Sequence, residues 1–112
     1  MAETFNRASA ALTTTNITDV YQAPNVAATD RAIILSCLVA NVDGVNAADI
    51  TLTISDSADV AIAKIANTIQ VPADSTLEAI PNKLILKRGE KIRATASAAN
   101  DLEVTISAME IT

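Results

Sequence analysis

The sequence predicts an all-β fold: a single-domain antiparallel β-sandwich, jelly-roll or immunoglobulin-like, with an extended N-terminal arm. Three observations carry this expectation. Ile, Val and Thr together outnumber Ala, the commonest residue, and β-branched side chains fit a pleated surface better than a helix. Seven or eight short apolar runs are separated by turn-forming groups such as APN, VDGVNAAD, VPADST, KRGE and AAND. Finally, 112 residues cannot divide their apolar side chains between two self-sufficient cores.

Residues 1–15, MAETFNRASAALTTT, show no regular period around the isolated Phe5 and Leu12. They are expected as an arm without a core face of its own, and residues 16–112 as the sandwich. A first strand is expected near Asn16–Gln22, ended by Ala23–Asn25. Arg31–Val42 is the most apolar segment, with Ile33, Leu35, Cys37 and Val39 on one face and Ile34, Leu38 and Val42 on the other. A strand with two apolar faces needs a covering layer or a subunit on the second, so Ile34, Leu38 and Val42 are the expected oligomer contacts.

Ile50–Ser55 alternates cleanly, with Ile50, Leu52 and Ile54 inward and Thr51, Thr53 and Ser55 outward. Residues 58–71 read as two short strands turning near Asn67, although Ile62, Ile65, Ala66 and Ile69 also fit helical spacing. Short strands through Leu77 and Ile80, then Lys83–Lys87, Lys91–Ser97 and Leu102–Ile111, complete the set, the last three joined as hairpins by KRGE and AAND. In the final strand Met109 and Ile111 fall on the parity opposite to Leu102, Val104 and Ile106, which a bulge near Ala108 would reconcile.

Composition removes whole classes of chemistry. There is no His, hence no imidazole base or ligand and no Ser/His/Asp arrangement. The single cysteine, Cys37, excludes an intrachain disulfide and lies in IILSCLVA as an expected buried thiol. The acids of SDSAD, Asp56 and Asp59, lack calcium-loop spacing and read as a solvated turn. With only Gly44 and Gly89 there is no glycine-rich phosphate loop. No cofactor, metal or catalytic residue is expected. A net charge of −5 argues against nucleic acid as a partner. No apolar run reaches the roughly 18–20 residues of a membrane span, and the N-terminus lacks a signal-peptide pattern, so a soluble, cytoplasmically made chain is expected.

One segment departs from the acidic background. KLILKRGEKIRATA holds five of the eight basic residues, namely Lys83, Lys87, Arg88, Lys91 and Arg93. Alternation sends Lys91 and Arg93 away from Ile92 and Ala94, where a solvated face would put them, with Glu103 as a cross-strand partner. The other reading is a patch that meets an acidic surface of a neighbouring subunit. Phe5 and Leu12 offer the same choice between a free tail and an arm anchored on a neighbour.

VPADSTLEAIPNKLILKRGEKIRATASAANDLEVTISAMEI resembles the C-terminal half of a family of small structural proteins of tailed bacteriophages. The matching features are the VPADSTL turn and strand, LILKRGEKIR, ASAANDL and the closing VTISAMEI. VYQAP followed by RAIILSCLVANVDGVNAADITLTI is similar to the opening of the same family, so the likeness spans about residues 16–111. The resemblance implies a β-sandwich virion component made in many copies. Its leading form is a capsid decoration (cement) protein that binds the major capsid protein or other virion proteins and stabilises the head as a homo-oligomer. A trimer is implied by analogy with decoration proteins at threefold lattice positions. The alternative is a tail or tail-fibre component that aids host adsorption. On either reading Phe5, Leu12, Lys87, Arg88, Lys91 and Arg93 are the candidate partner contacts.

Overall fold

Nine strands and no helix are present among residues 2–112, the part of the chain described by the computed structural model. In chain order they are β1 (Glu3–Ala11), β2 (Thr18–Gln22), β3 (Arg31–Asn41), β4 (Ala48–Ser55), β5 (Ala61–Val71), β6 (Thr76–Glu78), β7 (Leu84–Lys87), β8 (Lys91–Ala96) and β9 (Leu102–Ile111). One sheet has the order β1-β9-β3, with β6 and β7 both on the far side of β3. The other has the order β2-β8-β4-β5. All pairings are antiparallel. With β6 and β7 counted as one interrupted strand, this is a jelly-roll order of two four-stranded sheets, so the antiparallel sandwich expected from the sequence is the fold.

Most connections pass from one sheet to the other, which changes how two turns must be read. β7 pairs with β3 whereas β8 pairs with β2 and β4. KRGE is therefore a corner between sheets and not the tip of a hairpin, and AAND carries the chain back from β8 to β9 in the same way. Gly89 is required at the first corner: its φ is +71°, and a Cβ there would lie 2.6 Å from Asn25 Oδ1. Asn100, at φ +67°, turns the second.

The core between the sheets is aliphatic. Ile34, Cys37, Val39, Leu86, Leu102, Val104 and Ile106 come from one sheet and Ile50, Leu52, Ile92 and Ala94 from the other. Each fully buried Leu, Ile or Val contributes about 1.5–3 kcal/mol of transfer free energy. Ile50 and Leu52 point inward as expected, and Ile54 packs against the core edge.

The expected arm is in large part a strand. β1 pairs with β9 along its whole length, from Glu3 opposite Ile111 to Ala11 opposite Glu103. Leu12 is buried in the chain's own core and Ala8 and Ala10 pack against it, so Leu12 is an internal anchor and not a free partner contact. Ala8, Ala10 and Leu12 thus do alternate inward, but the small alanines make that pattern faint, and β1 is held chiefly by the row of main-chain donors and acceptors that β9 offers it.

A bulge corrects the expected faces of β3. Ile34 stands opposite Ala108 and Ser36 opposite Ser107, so Leu35 is an extra residue that shifts the alternation. Ile34, expected as an oligomer contact, is therefore fully buried, and Leu38 stays outward. Val42 lies just beyond the strand, exposed at the end loops. The irregularity expected in β9 near Ala108 is in its partner strand instead, and Met109 and Ile111 remain on the outer face.

Residues 61–71 form one strand and neither a helix nor two strands. Three register shifts against β4 absorb its extra residues, and Thr68, at φ +49°, marks one of them. β5 is a sheet edge, where such irregularities are tolerated because only one side is paired.

Candidate functional surface

The basic segment does not act as one patch. Lys91 and Arg93 lie on the outer face of the second sheet beside Asp19 of β2 and Asp59 of the β4–β5 turn. Lys91 Nζ lies 2.7 Å from Asp59 Oδ1 and 3.3 Å from Asp19 Oδ2, and Arg93 Nε lies 2.6 Å from Asp19 Oδ1. The hydrogen bond from Lys91 holds the Asp59 carboxyl below the usual carboxylate range. The same bond is the main cause that raises Lys91 above the ordinary lysine value. Thr53 and Ser55 stand beside Arg93 and Lys91 in register and are themselves buried. This closed network leaves Lys91 and Arg93 engaged within the chain. Glu103, expected as their partner, is in the other sheet between Ala11 and Ala40.

Lys87 and Arg88 remain exposed at the corner. Glu90 Oε1 accepts the Lys87 main-chain N–H at 2.7 Å, and Arg88 Nε donates to Asn25 Oδ1 at 3.1 Å. The opposite end of the sandwich gathers Asp43, Asp74 and Asp101 from three loops. Asp43 Oδ1 accepts the N–H groups of Val45 and Asn46 at 2.8 and 3.1 Å, which lowers its pKa. Burial, followed by the charge of Asp43, raises that of Asp101. Among the described residues no group of three or more His, Cys, Asp or Glu side chains is arranged to hold a metal ion.

The outer face of the first sheet is the most distinctive surface. Its outward side chains form rows across the strands. The first row is Glu3, Ile111, Arg31 and Lys87, and the second is Phe5, Met109, Ile33 and Ile85. Arg7, Ser107 and Ser36 make the third, and Ser9, Thr105, Leu38 and Glu78 the fourth. Phe5 is 75% exposed, Ile85 65%, Leu38 38% and the bulged Leu35 37%. A sheet face that meets only water is normally polar, and here an apolar band crosses four strands. A shallow groove of about 470 Å³ opens in the middle of the face, lined by Phe5, Asn6, Arg7, Leu35, Ser107 and Ala108.

Of the residues expected as contacts, the structure brings Phe5, Lys87 and Leu38 to this face, buries Leu12 and Ile34 and commits Lys91 and Arg93 to the ionic network. Ile33, Leu35, Met109 and Ile85 were not legible as one surface. The available signal was the second parity of β9, where Met109 and Ile111 break the inward pattern.

Cys37 is fully buried, and burial, followed by the charge of Glu78, pushes its thiol up to about 12. No family model and no curated protein matches the chain. A solved structure of Bacillus endospore appendages, described as a novel family of disulfide-linked pili, is similar in fold. The TM-score is 0.53 at 14% identity, covering 99% of this chain and 85% of that chain. At that identity the likeness concerns the fold alone.

Proposed function

We propose that this chain is a non-catalytic structural subunit that packs in many copies into a larger protein assembly, and that the assembly is a bacteriophage virion whose head it decorates and stabilises. The observation that carries the packing role is the apolar outer face of the first sheet, with Phe5 and Ile85 mostly exposed in a row flanked by charges. Exposed contiguous apolar patches of this kind mark protein interaction sites. The virion assignment rests on the sequence resemblance across residues 16–111, and a tail component is the variant of the same reading.

The fold likeness to an appendage subunit favours a second reading, a repeating filament on a cell surface. The links between copies differ from those of disulfide-linked pili, because the lone Cys37 is sealed in the core. Contacts through the outer sheet face are non-covalent.

Immunogold labelling with antibody raised against the recombinant chain tests these readings on lysates and intact cells that produce it. Label over phage heads supports decoration. Label restricted to tails moves the chain to the adsorption apparatus, label along filaments establishes the second reading, and label only on free protein removes the assembly role.

A further inference from the structure

The rows of the first sheet end on β1, which differs from the other edge strands. Each of the others is blunted: β2 has five residues and a register shift against β8, β5 has three register shifts against β4, and β6 and β7 have three and four residues. Such devices keep a sheet edge from taking on another strand. β1 has nine residues in unbroken register with β9 and contains no proline.

The free main-chain groups of this edge can be assigned. Ala2 and Thr112 exchange N–H···O bonds at 2.8 and 2.9 Å, and the Leu12 N–H donates to Leu102 O at 2.9 Å. In an antiparallel pair such exchanges fall at every second residue. The even-numbered residues therefore face β9, and the odd-numbered ones turn their N–H and C=O groups outward. Arg7 shows this directly, because its N–H is taken by Asn6 Oδ1 of its own strand at 2.9 Å. The side chains of Glu3, Phe5 and Arg7 are exposed on the outer face. Thr4 and Asn6 have the opposite parity and are exposed as well, so the second sheet does not cover this end of the edge.

We infer that two copies join edge to edge through residues 3–7 of β1, antiparallel, about a two-fold axis perpendicular to the sheet at the level of Phe5. The segment from Glu3 to Arg7 is complementary to its own reverse. Phe5 stands opposite Phe5 of the other copy, and Glu3 opposite its Arg7 twice over, in pairs about 4.5–5.5 Å apart. Thr4 meets Asn6 on the reverse face. Glu3 and Arg7 make no ion pair within the chain among the described residues, so both are available. Centring the axis on Arg7 would set two guanidiniums together, and centring it on Asn6 would leave Glu3 opposite Ser9. An isologous contact needs a surface complementary to itself, and main-chain bonds across the join are those of an added strand. The second row then runs unbroken through Ile85, Ile33, Met109 and Phe5 into the same four residues, in reverse order, of the other copy.

The inference rests on the packing role and deepens it, naming the partner as a second copy and the contact as two-fold where analogy implied a threefold one. Sedimentation velocity of the purified full chain over a wide concentration range tests it, and a reversible dimer is expected. Phe5→Pro removes an N–H that faces away from β9 and should raise the dissociation constant by about tenfold or more. Ile85→Ser, on the same face but three strands from the join, should leave it unchanged. Circular dichroism should match the wild type in both.

The charge pairs have a sharper readout. Glu3→Arg alone and Arg7→Glu alone should each weaken self-association, since either places like charges opposite each other twice. Mixing the two single variants should restore a dimer, now a heterodimer, because both pairs are then between opposite charges. An effect within one chain has no such rescue. A wild-type chain that stays monomeric, a dimer lost in Ile85→Ser but kept in Phe5→Pro, or a mixture no stronger than its components overturns the edge-to-edge pair. The packing role itself is read separately by labelling of assembled particles.

Discussion

The Tyr21 hydroxyl on β2 donates a 2.5 Å hydrogen bond to Glu110 Oε2 on β9, joining the two sheets near the end where β9 finishes. Asn6 Nδ2 donates to the same oxygen at 3.3 Å, so one carboxylate ties β1, β2 and β9 together. Burial, then the bond to Glu110 and its charge, raises the Tyr21 pKa far above the usual phenol value of 10.0. A raised folded value means that stabilisation is complete below pH 10 and is lost as the pH climbs above it. Tyr21→Phe should cost about 1.5 kcal/mol near neutrality, as expected for a hydrogen bond to a charged group. Urea unfolding should show that gap closing above pH 10, and a constant gap across the alkaline range would contradict the assignment.

The ionic network gives the opposite pH signature. The folded Asp59 value lies below its ordinary 3.8, chiefly through the hydrogen bond from Lys91. Its contribution is therefore present above that ordinary value and is lost as the pH falls through the lower folded one. Asp59→Asn keeps a residue that tolerates the +66° φ at this position while removing the charge. The variant should melt slightly below the wild type at neutral pH, and the two melting curves should converge in strong acid.

The bulge at Leu35 is tested by two isoleucines. Ile34 is fully buried and Ile85 is mostly exposed. Ile34→Ala should cost about 2–5 kcal/mol, and Ile85→Ala should change monomer stability by less than about 0.5 kcal/mol. Equal costs in denaturant titrations at concentrations too low for self-association would place the bulge elsewhere.

Cys37 should behave as a sealed side chain. A thiol-specific chromogenic reagent is expected to leave the folded chain unlabelled and to titrate one thiol per chain in denaturant, because burial hides the sulfur and disfavours the thiolate. Rapid labelling of the native chain, or disulfide-linked dimers formed under mild oxidation, would show that this part of β3 opens.

Most strands were legible because alternation is local: Ile50 and Leu52 on β4, Ile92 and Ala94 on β8, and Leu102 to Ile106 on β9 carry an inward pattern in their own order. The candidate surface was legible only in part. Phe5, Lys87 and Leu38 were singled out, but each for a different reason and none as neighbours of the others. Ile34 was misplaced because one extra residue, Leu35, reverses the parity and bears no mark in its own side chain.

By itself the sequence determined an all-β, aliphatic-cored sandwich without histidine chemistry, since residue types and period-two alternation act over a few neighbours. Only the tertiary structure decided that residues 3–11 pair with β9, that KRGE and AAND turn corners between sheets, and that Phe5, Met109, Ile33 and Ile85 form one row. Those outcomes depend on main-chain hydrogen bonds, which every residue except proline can both donate and accept. Which distant strand receives them is therefore settled by the packing of the whole chain and not by the side chains that happen to carry them.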